Sequence, residues 1–305
     1  MSFKLNILGY HSATPRENSH TTAQLLIMKN HHFLIDCGEG TQVQIRKHGI
    51  SFGKINHIFI SHLHGDHFYG LIGLISTFSL LNREQDLHIY GPKGLEDIIN
   101  LQLKYTESRA VYSLIFHELT SNKSVVIYED HKVEVRTIPL KHRVYTNGFL
   151  FKEKEGLRKL NIEEVNKYSE IEVCDYHNIK RGKDVVLKNG TIILNKDLTI
   201  PPAKPLSYAF CSDTAYCPSI VPIIKHVDVL YHEATFLSDR KELAEKTQHS
   251  TALEAGKIAD MAQAKQLIIG HFSSRYKNLY AFEDEAKEAF PNTQLATEGL
   301  QEFCK

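Results

Sequence analysis

Ile60-Ser61-His62-Leu63-His64-Gly65-Asp66-His67 is the stretch from which the rest of this chain is read. It places three imidazoles and one carboxylate between positions 62 and 67. Neutral imidazole is the commonest metal ligand, and a carboxylate is a natural oxygen donor beside it. The β-branched run over 55–61 reads as a strand, and the apolar run over 68–81 has the length and density of a helix. At a strand end His62 and His64, two apart, point to one side. Gly65 lets the chain turn sharply, and Asp66 and His67 present from the opening of the helix. Two pairs of ligands converging from one turn suit two metals held close together.

So short a cluster cannot complete two coordination spheres, so further ligands lie elsewhere. His142 follows a strand over 132–140, Asp213 follows one over 208–211, and His271 follows one over 267–269. Each is a metal-competent side chain just past a strand end, where rigid scaffolds carry their sites. Singly, each reads equally well as a polar loop residue. Their shared placement favours the site.

Around these points the chain alternates strands with helices. Strands are expected over 4–8, 24–28, 32–35, 88–90 and 227–231, and helices over 94–102, 220–225, 251–262 and 281–290. That alternation predicts a layered α/β domain. The 305 residues hold 36 Lys+Arg against 36 Asp+Glu and 42% hydrophobic residues, which rules out wholesale disorder and a polybasic nucleic-acid tail. A local basic patch is still allowed, because the field at a cleft depends on arrangement. The five cysteines are scattered, form no CxxC pair, and read as reduced thiols of a cytoplasmic protein. The first residues show no signal peptide. The 68–81 run falls short of the roughly 18 apolar residues that span a bilayer. Residues from about 148 to 205 differ in texture. Rich in Lys and Glu, they read as an insertion in one domain of 1–305 and bury little surface of their own. Lys180, Arg181, Lys183 and Lys188 stand there against a single acid, Asp184.

The same residues resemble a known family. H-x-H-x-D-H is the mark of the metallo-β-lactamase fold superfamily. Further words are Thr14-Pro15-Arg16-Glu17-Asn18, Asp36-Cys37-Gly38-Glu39-Gly40-Thr41-Gln42, Tyr90-Gly91-Pro92 and Ser212-Asp213-Thr214. His232-Glu233-Ala234-Thr235, His249-Ser250-Thr251 and His271-Phe272-Ser273-Ser274-Arg275-Tyr276 narrow the resemblance to the ribonuclease Z family, over nearly the whole chain. The resemblance implies a four-layer αββα sandwich with a projecting arm insertion, and two Zn2+ per chain. His62, His64 and His142 would hold one, and Asp66, His67 and His271 the other, with Asp213 between them. Such ligands also suit Mn2+ or Fe2+.

It further implies an endoribonuclease that removes the 3′ trailer from precursor tRNA, leaving a 3′-hydroxyl and a 5′-phosphate. A water between the metals would attack, with Asp66 as the family's general base. His249, positioned by Glu233, would protonate the leaving oxygen. Ser250-Thr251 before Leu253-Glu254 also reads as a helix cap, so His249 has a structural alternative. Arg275 would grip a phosphate or stand as a surface arginine. Asp36 would brace the metal site or merely serve its turn, and Glu39 and Arg16 have no assigned part.

The insertion matches the family's tRNA-gripping arm by position, with Lys180, Arg181 and Lys183 as its basic stretch. Val173-Cys174 stands where relatives carry Gly-Pro, which predicts an altered tip. The alternative is a solvated Lys/Glu-rich surface. The resemblance also suggests a homodimer and no membrane association. Two other functions compete. One is a different hydrolase of this fold, a small phosphodiesterase, lactonase or thioesterase, which has no use for a charged arm. The other is a silent RNA-binding subunit, which would not be expected to keep all seven ligands and His249.

Overall fold

The computed structural model describes residues 2–15 and 20–304, so Arg16, Glu17 and Asn18 lie outside the described residues. Its long strands are β1 (Ser2–Gly9), β2 (Ala23–Met28), β3 (His31–Ile35), β4 (Ile55–Phe59), β5 (Leu87–Pro92), β6 (Leu114–Leu119), β7 (Val126–Glu129), β8 (Val133–Pro139), β9 (Asn147–Glu153), β10 (Ser207–Cys211), β11 (Val229–Glu233), β12 (Gln266–Gly270), β13 (Thr293–Leu295) and β14 (Gly299–Cys304); four two-residue strands lie within 153–205. They make two seven-stranded sheets, in the orders β14-β1-β2-β3-β4-β5-β6 and β13-β12-β11-β10-β9-β8-β7. Within them β3 to β6 and β10 to β13 run parallel. The helices outside residues 153–205 are α1 (Thr41–Lys47), α2 (Gly65–Phe68), α3 (Leu71–Leu80), α4 (Leu95–Tyr105), α5 (Lys241–Thr247), α6 (Ala252–Ala262) and α7 (Tyr280–Lys287).

Three apolar layers hold these elements. Phe3, Leu5 and Ile7 of β1 meet Val135, Phe149, Tyr208 and Phe210 between the sheets. On the outer face of the first sheet, Leu25, Leu34 and Ile58 pack on Ile45, Leu74, Phe78 and Ile99 of α1, α3 and α4. On the outer face of the second, Ala209, Leu230 and Leu267 pack on Ala255, Ile258 and Phe282 of α6 and α7. The expected four-layer αββα sandwich is therefore present. Central strands buried on both faces read as continuous apolar runs. Leu267-Ile268-Ile269 does so, with Ile268 inward and its neighbours outward.

Several local expectations change. The helix expected over 220–225 is a short 3-10 turn at Pro218–Ile220. The 68–81 run breaks at Gly70 into α2 and α3. Gly65 does not supply a left-handed turn. A Cβ there would sit 2.2 Å from the exposed Tyr69 ring, which would have to turn aside. Residues 147–152, in part assigned to the insertion, belong to β9, and Phe149 to Lys152 pair with β10.

Residues 153–205 form a compact unit of their own. Contrary to the expectation of little buried surface, Val165, Ile171, Ile179, Ile193 and Leu198 make a small core. These residues are widely spaced in sequence, so no local window reads as apolar. Asn195 fastens that core, its Nδ2 donating to the carbonyls of Ile179 at 2.5 Å and Lys183 at 3.1 Å.

Histidines also form a column on the inward face of the first sheet. His57, His88 and His117, from β4, β5 and β6, stack at 5.1 and 5.3 Å. His88 Nδ1 and His117 Nε2 lie 3.0 Å apart, so one proton is shared between them. Tyr128 closes on His57 at 4.6 Å, and His31 pairs with Asp130 at 2.9 Å. Burial, and then the charges of His88, His31 and His117, push His57 down to about 4, against a weaker pull from Asp130. An unfolded histidine titrates near 6.5. On acidification the unfolded chain binds this proton first, so stability is lost as pH falls from about 6.5 to about 4, on the order of 3 kcal/mol in all. His57→Phe is expected to flatten the fall in urea-unfolding free energy between pH 7 and pH 5. An unchanged fall in the variant would remove His57 as its source.

Candidate metal centre

The site is assembled from strand ends and the turns that follow them. His62 and His64 lie on the segment that follows β4, and His64, in extended conformation, is the residue before α2, which carries Asp66 and His67. Asp36 follows β3, Asp213 follows β10 and His271 follows β12. All three have left-handed backbone, with φ of 56°, 56° and 63°. For a histidine this costs about 1 kcal/mol or more. The His271 amide is held in that geometry by donation to the Tyr10 carbonyl at 2.7 Å.

The donor atoms fall into two groups that share one carboxylate. His62 Nε2 lies 3.0 Å from His64 Nδ1, which lies 3.3 Å from His142 Nε2. Asp213 Oδ2 faces this group, 3.5 Å from His62 and 3.8 Å from His142. In the second group His67 Nε2 and His271 Nε2 lie 3.4 Å apart, each 3.5 Å from Asp66 Oδ2. Asp213 Oδ1 faces both at 3.1 Å. A tetrahedral cation about 2.0–2.1 Å from each ligand needs neighbouring donors roughly 3.3 Å apart. Both groups have that spacing, and the sequence-derived ligands His62, His64, Asp66, His67, His142, Asp213 and His271 all take part.

Hydrogen bonds behind the rings fix which nitrogen faces inward. His67 Nδ1 is 2.7 Å from Asp36 Oδ2, and His142 Nδ1 donates to the Gln248 carbonyl at 2.9 Å. Ser61 Oγ donates to Asp36 Oδ2 at 2.9 Å, so its lone pair accepts from His62 Nδ1 at 3.0 Å. His271 Nδ1 is held by Thr235 Oγ at 2.9 Å. In these four rings Nε2 is left with its lone pair toward the centre; His64 alone presents Nδ1. Such outer partners orient metal-binding imidazoles. Asp36 thus braces the site as well as its turn, and Glu39 is exposed.

Charge gives a second test of fit. Asp36, Asp66, Asp213 and Glu233 are all buried or nearly so, and among the described residues their ion-pair partners are histidines. Burial holds His62 well below the usual imidazole range, leaving it neutral. Uncompensated buried carboxylates are costly. Two divalent cations would balance four of them.

Beside this centre, Glu233 Oε1 is 2.8 Å from His249 Nδ1 and accepts the Thr214 amide at 2.6 Å. The rings of His249 and His271 stack at 5.5 Å. Burial pulls His249 down, but the charge and hydrogen bond of Glu233, with Asp213 behind, raise it to about 9. The helix-cap alternative is resolved by Thr251, which caps α6 and exchanges bonds with Glu254. His249 precedes the cap and faces the site. Arg275 is exposed and donates to Ser273 Oγ at 3.3 Å. Lys180, Arg181 and Lys183 lie in the separate 153–205 unit, around the end of the helix Tyr176–Lys180. Val173–Asp175 is a 3-10 turn.

Sequence reading missed the backbone groups, above all the Ala13 amide, which donates to Asp66 Oδ2 at 2.8 Å. A backbone donor leaves no signature in residue type. Ser61 and Thr235 were quoted in motifs without a role, although a hydroxyl beside a ligand histidine is such a signal.

Three relatives place the chain. Ribonuclease Z of Bacteroides thetaiotaomicron is 45% identical over 298 residues, 98% of this chain and 94% of that protein. Ribonuclease Z of Cytophaga hutchinsonii is 46% identical over 300 residues, 98% and 95% of the two chains. The crystal structure of human tRNase Z, short form, superposes with a TM-score of 0.72 at 26% identity, covering 99% of this chain and 98% of that one. Residues 3–157 also match the family model described as Anti-Pycsar protein Apyc1. That stretch includes the 62–67 motif and His142 and stops before Asp213, Glu233, His249 and His271. The chain belongs to the ribonuclease Z family, whose members it matches along nearly its whole length, and through residues 3–157 to the family described as Anti-Pycsar protein Apyc1.

Proposed function

We propose that this protein is a two-zinc endoribonuclease that removes the 3′ trailer from precursor tRNA, leaving a 3′-hydroxyl on the tRNA and a 5′-phosphate on the trailer. The observation that carries the reading is the Asp213 carboxylate, which offers one oxygen to each of two histidine groups beside the Glu233–His249 pair. The tRNA substrate comes from the name of the human relative, tRNase Z. His62, His64 and His142 would hold one cation and Asp66, His67 and His271 the other, with Asp213 bridging. Once bound, two cations activate water and neutralise phosphate charge.

The chain's own groups do the rest. Asp66 takes the proton of the attacking water. His249, its Nδ1 held by Glu233, delivers a proton from Nε2 to the departing 3′-oxygen. Arg275 grips a phosphate near the site. Lys180, Arg181 and Lys183 bind the tRNA body through its phosphates, recognising duplex shape more than sequence. A homodimer would let the 153–205 unit of one subunit serve its partner's site. Mapping the cut in an end-labelled precursor tRNA tests the whole reading. Hydrolysis of bis(p-nitrophenyl) phosphate without precursor cleavage would assign the site to a smaller phosphodiester.

Metal removal by a chelator is expected to abolish cleavage, and metal analysis of the restored enzyme to give about two ions per chain. His64→Ala should lose cleavage far more than tRNA affinity. Full activity with a single ion would contradict the bridged arrangement.

His249→Ala is expected to slow the chemical step roughly 10²–10⁴-fold without loss of metal. An acid works only while protonated, so rate falls as pH rises through its pKa. Glu233→Gln removes the charge that raises His249, so the alkaline fall should move to lower pH. A limb that stays in place would detach Glu233 from the proton donor.

Replacing Lys180, Arg181 and Lys183 together with Ala should weaken precursor binding and flatten its salt dependence. Each phosphate contact contributes a slope of roughly 0.7 or more. Precursor cleavage at limiting substrate should fall at least tenfold more than bis(p-nitrophenyl) phosphate hydrolysis. Equal losses on both substrates would point to a disturbed fold.

A further inference from the structure

The Thr235 hydroxyl lies within hydrogen-bonding distance of both halves of this machinery. Thr235 lies two residues past β11 and is 4% exposed. Its hydroxyl donates to Glu233 Oε2 at 2.6 Å. A threonine hydroxyl has one proton and two lone pairs. With the proton committed to Glu233, a lone pair accepts from His271 Nδ1 at 2.9 Å. The His249 ring stands over the same oxygen, its Nδ1 at 3.3 Å, while bonding Glu233 Oε1 at 2.8 Å. The Thr235 amide also reaches Glu233 Oε2, at 3.2 Å, and its carbonyl accepts the Ser273 amide at 3.1 Å. The hydroxyl cannot wander, because a β-branched side chain holds few χ1 states.

Resting on the reading of the site as a metal-dependent hydrolase, we propose that the Thr235 hydroxyl is a positioning group that ties the metal ligand His271 to the proton donor His249. It fixes His271 as the Nδ1–H tautomer, so Nε2 keeps its lone pair toward the cation. It occupies Oε2 of Glu233, so Oε1 is left to His249. One hydroxyl therefore sets the direction of a ligand and of an acid held on different loops. Ser61 makes the matching junction on the other side of the centre, between Asp36 and His62. It touches no proton donor, which sets Thr235 apart.

Thr235→Val keeps the shape and removes the hydroxyl; Thr235→Ser keeps the hydroxyl. Zinc affinity of the metal-free protein, read by competition with a chromophoric chelator, is expected to drop about 10–100-fold in the Val variant, the usual cost of losing an outer partner. At saturating zinc, turnover of precursor tRNA should fall at least tenfold further than that of bis(p-nitrophenyl) phosphate, whose leaving group needs no proton. The Ser variant should recover most of both losses. In a His249→Ala background the Val change should cost precursor turnover little more. Wild-type zinc affinity in the Val variant, or a Ser variant as damaged as Val, would reduce Thr235 to a packing residue. Thr235→Ala, judged by the same assays, decides the matter if the Val protein does not fold. If precursor tRNA proves not to be the substrate, the zinc titration and the Val-against-Ser comparison on the small diester still decide the role of Thr235.

Discussion

The sharing of one carboxylate between two sets of imidazoles is the constraint on which the rest depends. Asp213 is almost fully buried, and its oxygens face opposite groups. For that to happen, β4 with its following turn must meet the ends of β8, β10 and β12. The two sheets therefore have to bring their loops to one end, and the core between them holds that alignment. Lys141 and Thr214 lock the His142 and Asp213 loops together, the Lys141 amide donating to Thr214 Oγ at 3.1 Å and the Ala215 amide to the Lys141 carbonyl at 2.8 Å. The Asn147 amide bonds the Ser61 carbonyl at 3.1 Å, joining the second sheet to the motif loop. Local strain follows from the same demand. The ends of β3 in the first sheet and of β10 and β12 in the second all turn through left-handed residues next to the centre, Asp36, Asp213 and His271.

The site is built twice on one plan. A buried carboxylate, Asp36 or Glu233, accepts from a neighbouring hydroxyl, Ser61 or Thr235, and that hydroxyl accepts from an imidazole of the cluster, His62 or His271. The plan works because a charged acceptor forces the direction of the hydroxyl proton, and the hydroxyl then forces the tautomer of the ring. Gly38 is required by the packing on the Asp36 side: a Cβ there would come within 2.2 Å of Thr21 Oγ and 2.5 Å of the Asp66 carbonyl.

The metal cluster was legible in sequence because four donors stand within six residues and because His142, Asp213 and His271 each end an apolar strand run. What stayed hidden has physical reasons. The Ala13 amide and the Tyr10 and Gln248 carbonyls act through backbone and carry no residue signature. β6 and β7 lie toward one edge, with mixed and half-exposed residues, so neither periodicity nor density marked them. β9 was hidden by the Lys/Glu-rich segment that follows it. The core of the 153–205 unit rests on five side chains spread over more than thirty residues, beyond the reach of any short window. The tRNA reading of that unit comes from the family resemblance, whereas its compactness is a property of the structure.

The first sheet is closed by residues from opposite ends of the sequence, β1 pairing with β14 from Ser2↔Cys304 to Ile7↔Gly299. During synthesis β1 stays without that neighbour until nearly three hundred further residues have been added. At roughly 5–20 residues per second this is a delay on the order of tens of seconds. Through that interval one side of β1 is an unpaired strand edge, a template for pairing with other chains. Until β14 arrives, the nascent chain therefore carries a strand edge that the finished fold covers.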